Sequence, residues 1–170
     1  MAATRNRYTT VAILLHWLIA AAILFQLALG WRMEEVPKGP AAFSLFQLHK
    51  SIGFSILLLV LLRLAWRFFH PPPPLPAGMP GWERQVSRLT HALMYFLMLA
   101  VPLTGWLLVS TSRTQIPSLM FGVVPVPHLP GFSGLVADSR ESWHEFGEIA
   151  HGLLATVILG LVAMHVGAVL

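Results

Sequence analysis

Between His151 and His165 lie thirteen residues that are all apolar or small, so two histidines stand fourteen positions apart in an otherwise apolar run. No Asp, Glu, Lys or Arg occurs from Ile149 to Leu170. A run of that length and polarity is long enough to cross a bilayer as a helix. Fourteen helical steps climb about 21 Å and turn about 1400°, about 40° short of four full turns. Both imidazoles therefore leave one helix face, at opposite depths of a hydrocarbon slab about 30 Å thick. Polar groups in such a slab are costly; they face a bundle interior and mark function. The spacing points to two stacked sites, each needing a further ligand from another helix.

The rest of the chain agrees with a membrane reading. Of its 170 residues, 56% are hydrophobic and 11% charged, against about a quarter charged in soluble domains. The net charge of +4 comes from eleven Lys and Arg set against seven acids. These basic residues sit at the flanks of apolar runs rather than on one soluble face, which argues against nucleic-acid binding. The sequence has no cysteine. Disulfides, thiolate metal sites, iron–sulfur clusters and covalently attached c-type haem are thereby excluded. Redox chemistry on this chain has to use histidine ligands and a bound cofactor.

Four spans are expected, at about 9–31, 43–69, 86–109 and 143–170, in one membrane domain. The first is too long for a signal-peptide core, since its apolar run continues past Ala20–Ala22 to Trp31. His70 to Pro76 carries five prolines and cannot continue a helix, so residues 70–81 form a linker. Pro102 and Gly105 predict a kink or local loosening in the third span. Residues 110–142, rich in Pro and Gly yet apolar in places, are expected to cap the bundle at the membrane surface. The fold class is an all-α four-helix membrane bundle.

Orientation follows from the basic residues. Arg5, Arg7, Arg63, Arg67, Arg84 and Arg88 share the side that holds both termini and the proline linker, while six of the seven acids fall on the other. Both termini are expected in the cytoplasm and the capping loop outside. Under that topology His16 and His165 lie at the inner level, and His49 and His151 at the outer. Each pair offers two imidazoles at matching depth from facing helices, the arrangement that iron in a flat macrocycle requires. A bare two-histidine site suits zinc or copper poorly. Gly53, Gly105, Gly152 and Gly160 are small enough to let a porphyrin approach the backbone.

The other polar groups read less sharply. His91 lies at the inner level one turn after Arg88, a candidate second-shell or quinone contact, a substitute ligand, or a packing residue. His144 is expected at the solvated outer rim, and His70 and His128 are loop residues beside prolines. Arg63, Arg67 and Arg88 obey the inside-charge rule and are candidates for contacts to haem propionates. Lys50, with Arg113 and Arg140, offers positive charge outside that would steer a small anion.

His16–Trp17, Leu48–His49–Lys50–Ser51–Ile52–Gly53, His91 with Tyr95, Pro102–Leu103–Thr104–Gly105 and the His151/His165 pair together resemble the bacterial cytochrome b561 family. The likeness covers about Arg7 to Leu170. It extends to the haem-bearing membrane subunits of hydrogenases and formate dehydrogenases. It implies two haem b groups held by His16, His49, His151 and His165 in the bacterial inner membrane. It also implies electron exchange with ubiquinone or another membrane quinone. Some members resemble a superoxide oxidase, a quinone-linked oxidoreductase that takes electrons from superoxide outside. The alternative is a membrane anchor that passes electrons from a periplasmic dehydrogenase or hydrogenase. A haem-free bundle such as a transporter fragment is the reading from a different class. Family members usually run on into a basic, histidine-containing tail; the sequence to Leu170 covers none of it, and its role is not carried over.

Overall fold

The computed structural model describes residues 7–132 and 134–168. Its elements are α1 (Thr10–Glu35), α2 (Pro40–Phe69), α3 (Gly81–Thr111), β1 (Ser118–Met120), β2 (Val124–Val126) and α4 (Ala137–Gly167). All four helices are long and apolar enough to cross a membrane. Arg5, counted above among the inner basic residues, and the last two residues of the expected fourth span lie outside the described residues.

The helices begin and end where local chemistry allows. Thr9 caps α1, its hydroxyl accepting from the Ala12 amide at 3.2 Å. The same oxygen accepts from the Trp66 indole at 2.8 Å, tying α1 to the far end of α2. Pro40 opens α2, where its missing N–H costs nothing. The helix stops before the proline run, because a residue preceding proline is pushed out of helical geometry. α3 and α4 start five and six residues earlier than the apolar pattern places them. Hydropathy detects only the apolar part of a helix, whereas Glu83 and Asp138 stabilise the polar first turns against the helix dipole. α3 runs unbroken through Pro102.

The cap is not purely irregular, and the molecule is not purely helical. β1 and β2 pair antiparallel, Leu119 facing Pro125. The turn between them places Phe121 at φ 50° and Gly122 at φ 76°, the left-handed geometry that tight hairpins use. This hairpin is fastened to α2. The Ser51 hydroxyl accepts from the Phe121 amide at 2.9 Å and donates to the Gln47 carbonyl at 2.8 Å. Gln47 and Lys50 both donate to the Pro117 carbonyl at 3.2 Å. On the α3 side, the Trp106 indole donates to the Pro127 carbonyl at 2.9 Å.

α1, α2 and α4 each turn a seam of alternating three- and four-residue steps inward. On α1 it is His16, Ile19, Ile23, Gln26 and Gly30; on α2, His49, Gly53, Ile56, Val60 and Arg63. On α4 it is His144, Gly147, His151, Leu154, Ile158, Leu161 and His165. Such a seam is the signature of near-parallel helices in a left-handed bundle. The buried centre joins Ile19, Ile23, Ile56, Val60, Leu97, Met98, Ile158 and Leu161 from all four helices. Outward-facing Leu14, Trp17, Leu24, Phe25, Leu58, Leu62, Leu89 and Leu153 are exposed, as lipid-facing side chains are. Among the described residues, α3 packs closely on α4 and α1 on α2, whereas α4 approaches α1 and α2 only sparsely.

Candidate metal centres

The apolar layer separates two clusters of imidazoles. At one end, the rings of His49 on α2 and His151 on α4 have centres 6.1 Å apart. At the other, His16 on α1 and His165 on α4 are 6.3 Å apart. The spacing has a direct chemical meaning. With a metal–imidazole bond of about 2.0 Å and a ring centre about 1.1 Å behind its nitrogen, two imidazoles on opposite sides of one metal put their centres about 6 Å apart. Among the described residues no group of three or more His, Asp or Glu side chains converges to hold a bare ion. Each pair supplies two nitrogens only, which fits a metal whose other ligands come from a macrocycle. The four residues also lie where α4 is sparsely packed against the helices opposite, and a flat group needs that room.

The His49/His151 pair, expected at the outer level, is held by its surroundings. The Nδ1 of His151 lies 2.9 Å from the Val101 carbonyl and 3.2 Å from the Thr104 hydroxyl. A carbonyl only accepts, so Nδ1 carries the proton and donates, leaving the lone pair on Nε2. A backbone carbonyl behind the ring of a metal-binding histidine is the usual device for fixing tautomer and orientation. The Thr104 hydroxyl itself donates to the Ala100 and Val101 carbonyls at 3.0 and 2.8 Å, so its oxygen is turned to accept. Gly105 completes the seat: a Cβ there would come within 3.1 Å of His151 Cε1. Opposite, Gln26 donates to the His49 carbonyl at 2.9 Å, and His49 Nδ1 is buried with no hydrogen-bond partner among the described residues.

The cluster at the His16/His165 end, expected at the inner level, has three rings and a cation. His91 on α3 approaches His165 as closely as His16 does, its centre 6.2 Å away, and its Nδ1 lies 2.6 Å from the Ser87 carbonyl. Arg63 reaches in from α2. Its Nη1 donates to the Ala12 carbonyl at 2.7 Å, one turn before His16, and its Nε donates to the Tyr95 hydroxyl at 3.0 Å, one turn after His91. Arg67 lies over the Tyr95 ring, 5.6 Å from its centre. Arg88 is exposed.

Several sequence expectations are corrected. Lys50 is not free outer charge: it is 8% exposed, bonded to Pro117 and laid over Phe46 under the hairpin. Arg113 is ion-paired with Glu141 and Arg140 donates to the Leu135 carbonyl, so neither is an unencumbered lure for an anion. His144 is half-buried and bonded to Thr111 at 3.2 Å rather than solvated. His70 keeps its expected place beside the prolines, as the C-cap of α2, and stacks on Trp66 with ring centres 4.0 Å apart. Of the four glycines offered to a porphyrin, Gly105 seats a histidine ring and Gly53 lies against Gln26, while Gly152 and Gly160 face no atom within 4 Å. Sequence reasoning gave no role to Val101 or Gln26, and it quoted Tyr95 and Thr104 only as parts of the family likeness, without the contacts they make.

A family model described as prokaryotic cytochrome b561 matches residues 7–170. Cytochrome b561 homolog 2 of Escherichia coli (strain K12) is 32% identical over 170 residues, covering 95% of this chain and 82% of the relative. Cytochrome b561 homolog 1 of the same organism is 27% identical, covering 97% and 89%. A Yersinia pestis protein named "Probable superoxide oxidase CybB" is 22% identical, covering 97% and 88%.

Proposed function

The chain belongs to the prokaryotic cytochrome b561 family, multi-pass bacterial membrane proteins that carry electrons on haem b, and from that premise we propose that it conducts electrons between two haems stacked across the inner membrane. His49 and His151 hold the outer haem, and His16 and His165 the inner. The observation that carries this reading is the sorting of four imidazoles into two pairs, 6.1 and 6.3 Å between ring centres, on either side of one apolar layer. When bound, the haems supply one-electron exchange without proton uptake at the metal. The protein does the rest. Val101 and Thr104 hold the His151 proton on Nδ1, and the layer around Val60 and Leu97 excludes water and ions between the two levels.

A membrane quinone, ubiquinone or a relative, exchanges electrons at the lipid-accessible inner level. There Arg88 and Arg67 offer hydrogen-bond donors to its carbonyls, and His91, whose Nδ1 donates to the Ser87 carbonyl, offers Nε2 as an acceptor for the hydroxyl of the reduced form. Both termini lie in the cytoplasm, as the inner basic residues favour. Superoxide is the proposed outer donor. The support is the Yersinia pestis relative and its name, not charge steering, since Lys50 and Arg113 are both engaged. A second reading, an anchor for a periplasmic dehydrogenase or hydrogenase, draws on the exposed Phe121, Val123 and Val124 of the hairpin, a surface another protein would cover. Stable co-purification with a larger redox protein selects it.

The deciding measurement is haem-to-protein stoichiometry with the optical spectrum, repeated on His151→Ala and His165→Ala. Two haems in the parent, and one lost in each variant with the other spared, is the expected result. A single haem, or none, overturns the reading.

A further inference from the structure

His151 and His165 stand fourteen positions apart on α4, and His49 and Arg63 stand fourteen positions apart on α2. α2 thus presents at the inner level, on the same inward seam, an arginine where α4 presents a histidine. The guanidinium is always charged. The ion pairs Arg32–Glu35 and Arg113–Glu141 both lie in outer segments, and among the described residues no side-chain carboxylate is paired with Arg63. Its hydrogen bonds go instead to two neutral oxygens, the Ala12 carbonyl and the Tyr95 hydroxyl, which fix it beside the turns bearing His16 and His91. An uncompensated cation inside a span is expensive, and such residues are retained for function.

We infer that Arg63 poises the inner redox centre, its fixed charge favouring residence of the electron at the His16/His165 level. The inference rests on the two-haem reading above. Adding an electron to an iron site adds one negative charge. A fixed positive charge nearby stabilises that state more in a low-dielectric interior than it would in water. The equilibrium concerned is the sharing of one electron: the outer iron is oxidised as the inner is reduced, and no proton moves. The outer level differs. Lys50 sits beside His49 in sequence, but its ammonium is turned to the Pro117 carbonyl beneath the hairpin. The His151 ring there donates to a carbonyl, which makes it a more electron-rich ligand and favours the oxidised metal.

The test is a potentiometric titration followed at the haem bands, with the inner centre identified in a His151→Ala background. Arg63→Gln is expected to lower the inner midpoint by at least 59 mV, a tenfold change for one electron. Arg63→Lys, which keeps the charge but loses the planar fork, is expected to stay within threefold of the parent. A purely structural clamp between α1 and α3 predicts otherwise: both variants lose stability and neither midpoint moves. That result, or an Arg63→Lys midpoint as low as that of Arg63→Gln, overturns the inference. Should Arg63→Gln retain no inner haem, Tyr95→Glu decides it, because it sets a carboxylate against the guanidinium that Tyr95 now meets. An inner midpoint at least 59 mV below the parent supports the inference, and one within threefold of the parent overturns it. Two bound haems with an unmoved midpoint sink this inference alone, whereas fewer than two haems in the parent sink the reading beneath it.

Discussion

At the His49/His151 level, outer in the proposed orientation, the polar partners are neutral and specific: a carbonyl and a hydroxyl behind His151, an amide on the His49 backbone, a glycine cut to the shape of a ring. At the other level neither His16 nor His165 makes a ring hydrogen bond among the described residues, and the dominant neighbours are a third imidazole and a guanidinium. One pair is oriented by packing and backbone; the other is surrounded by charge and alternatives. Two sites built on one helix with one ligand type can therefore differ in rigidity and in potential. The difference is set by what stands behind each ring rather than by the ring itself.

The strongest challenge to that contrast is to damage what both levels share. Ile158 is buried in the central layer, and Ile158→Ala is expected to cost about 2–4 kcal/mol. Both haems should then be released together on heating, read as loss of haem absorbance. Separate release would mean that the levels fold independently. Next in size, Gly105→Val drives a branched side chain into the His151 ring. The outer haem content should fall by at least half while the inner stays, read by stoichiometry. Thr104→Val removes one of two acceptors from Nδ1 and leaves the Val101 carbonyl. The loss should be about 1 kcal/mol in outer haem affinity, with no effect inside. Smallest of all, Lys50→Met should leave superoxide-driven haem reduction at low salt unchanged, because that charge already faces the hairpin. A slower rate with a flattened salt dependence would restore the steering idea.

The four helices were readable because an apolar run of membrane length has few alternatives. The neighbours His49 with His151, and His16 with His165, were readable because depth along a helix is counted in residues. What could not be read depended on contacts between distant segments. Three-residue strands with a proline in one of them carry no periodicity, so the hairpin over residues 118–126 looked like loop. The burial of Lys50 follows from that hairpin, as its flank in sequence resembles any basic membrane border. Gly105 was visible as a small residue, but not that the small space belongs to His151. Arg63 fitted the inside-charge rule so well that its lack of an acidic partner escaped notice; only the fold shows which oxygens it meets.

The dry layer between the two levels has an electrical consequence. Its ends, about 21 Å apart, span about two thirds of the insulating thickness. In the proposed orientation, an electron passing inward moves against a membrane that is negative inside. Each 100 mV of resting voltage then opposes that passage by about 1.6 kcal/mol. An energised cell would thus throttle this conduit, and collapse of the voltage would open it, with no moving part in the protein.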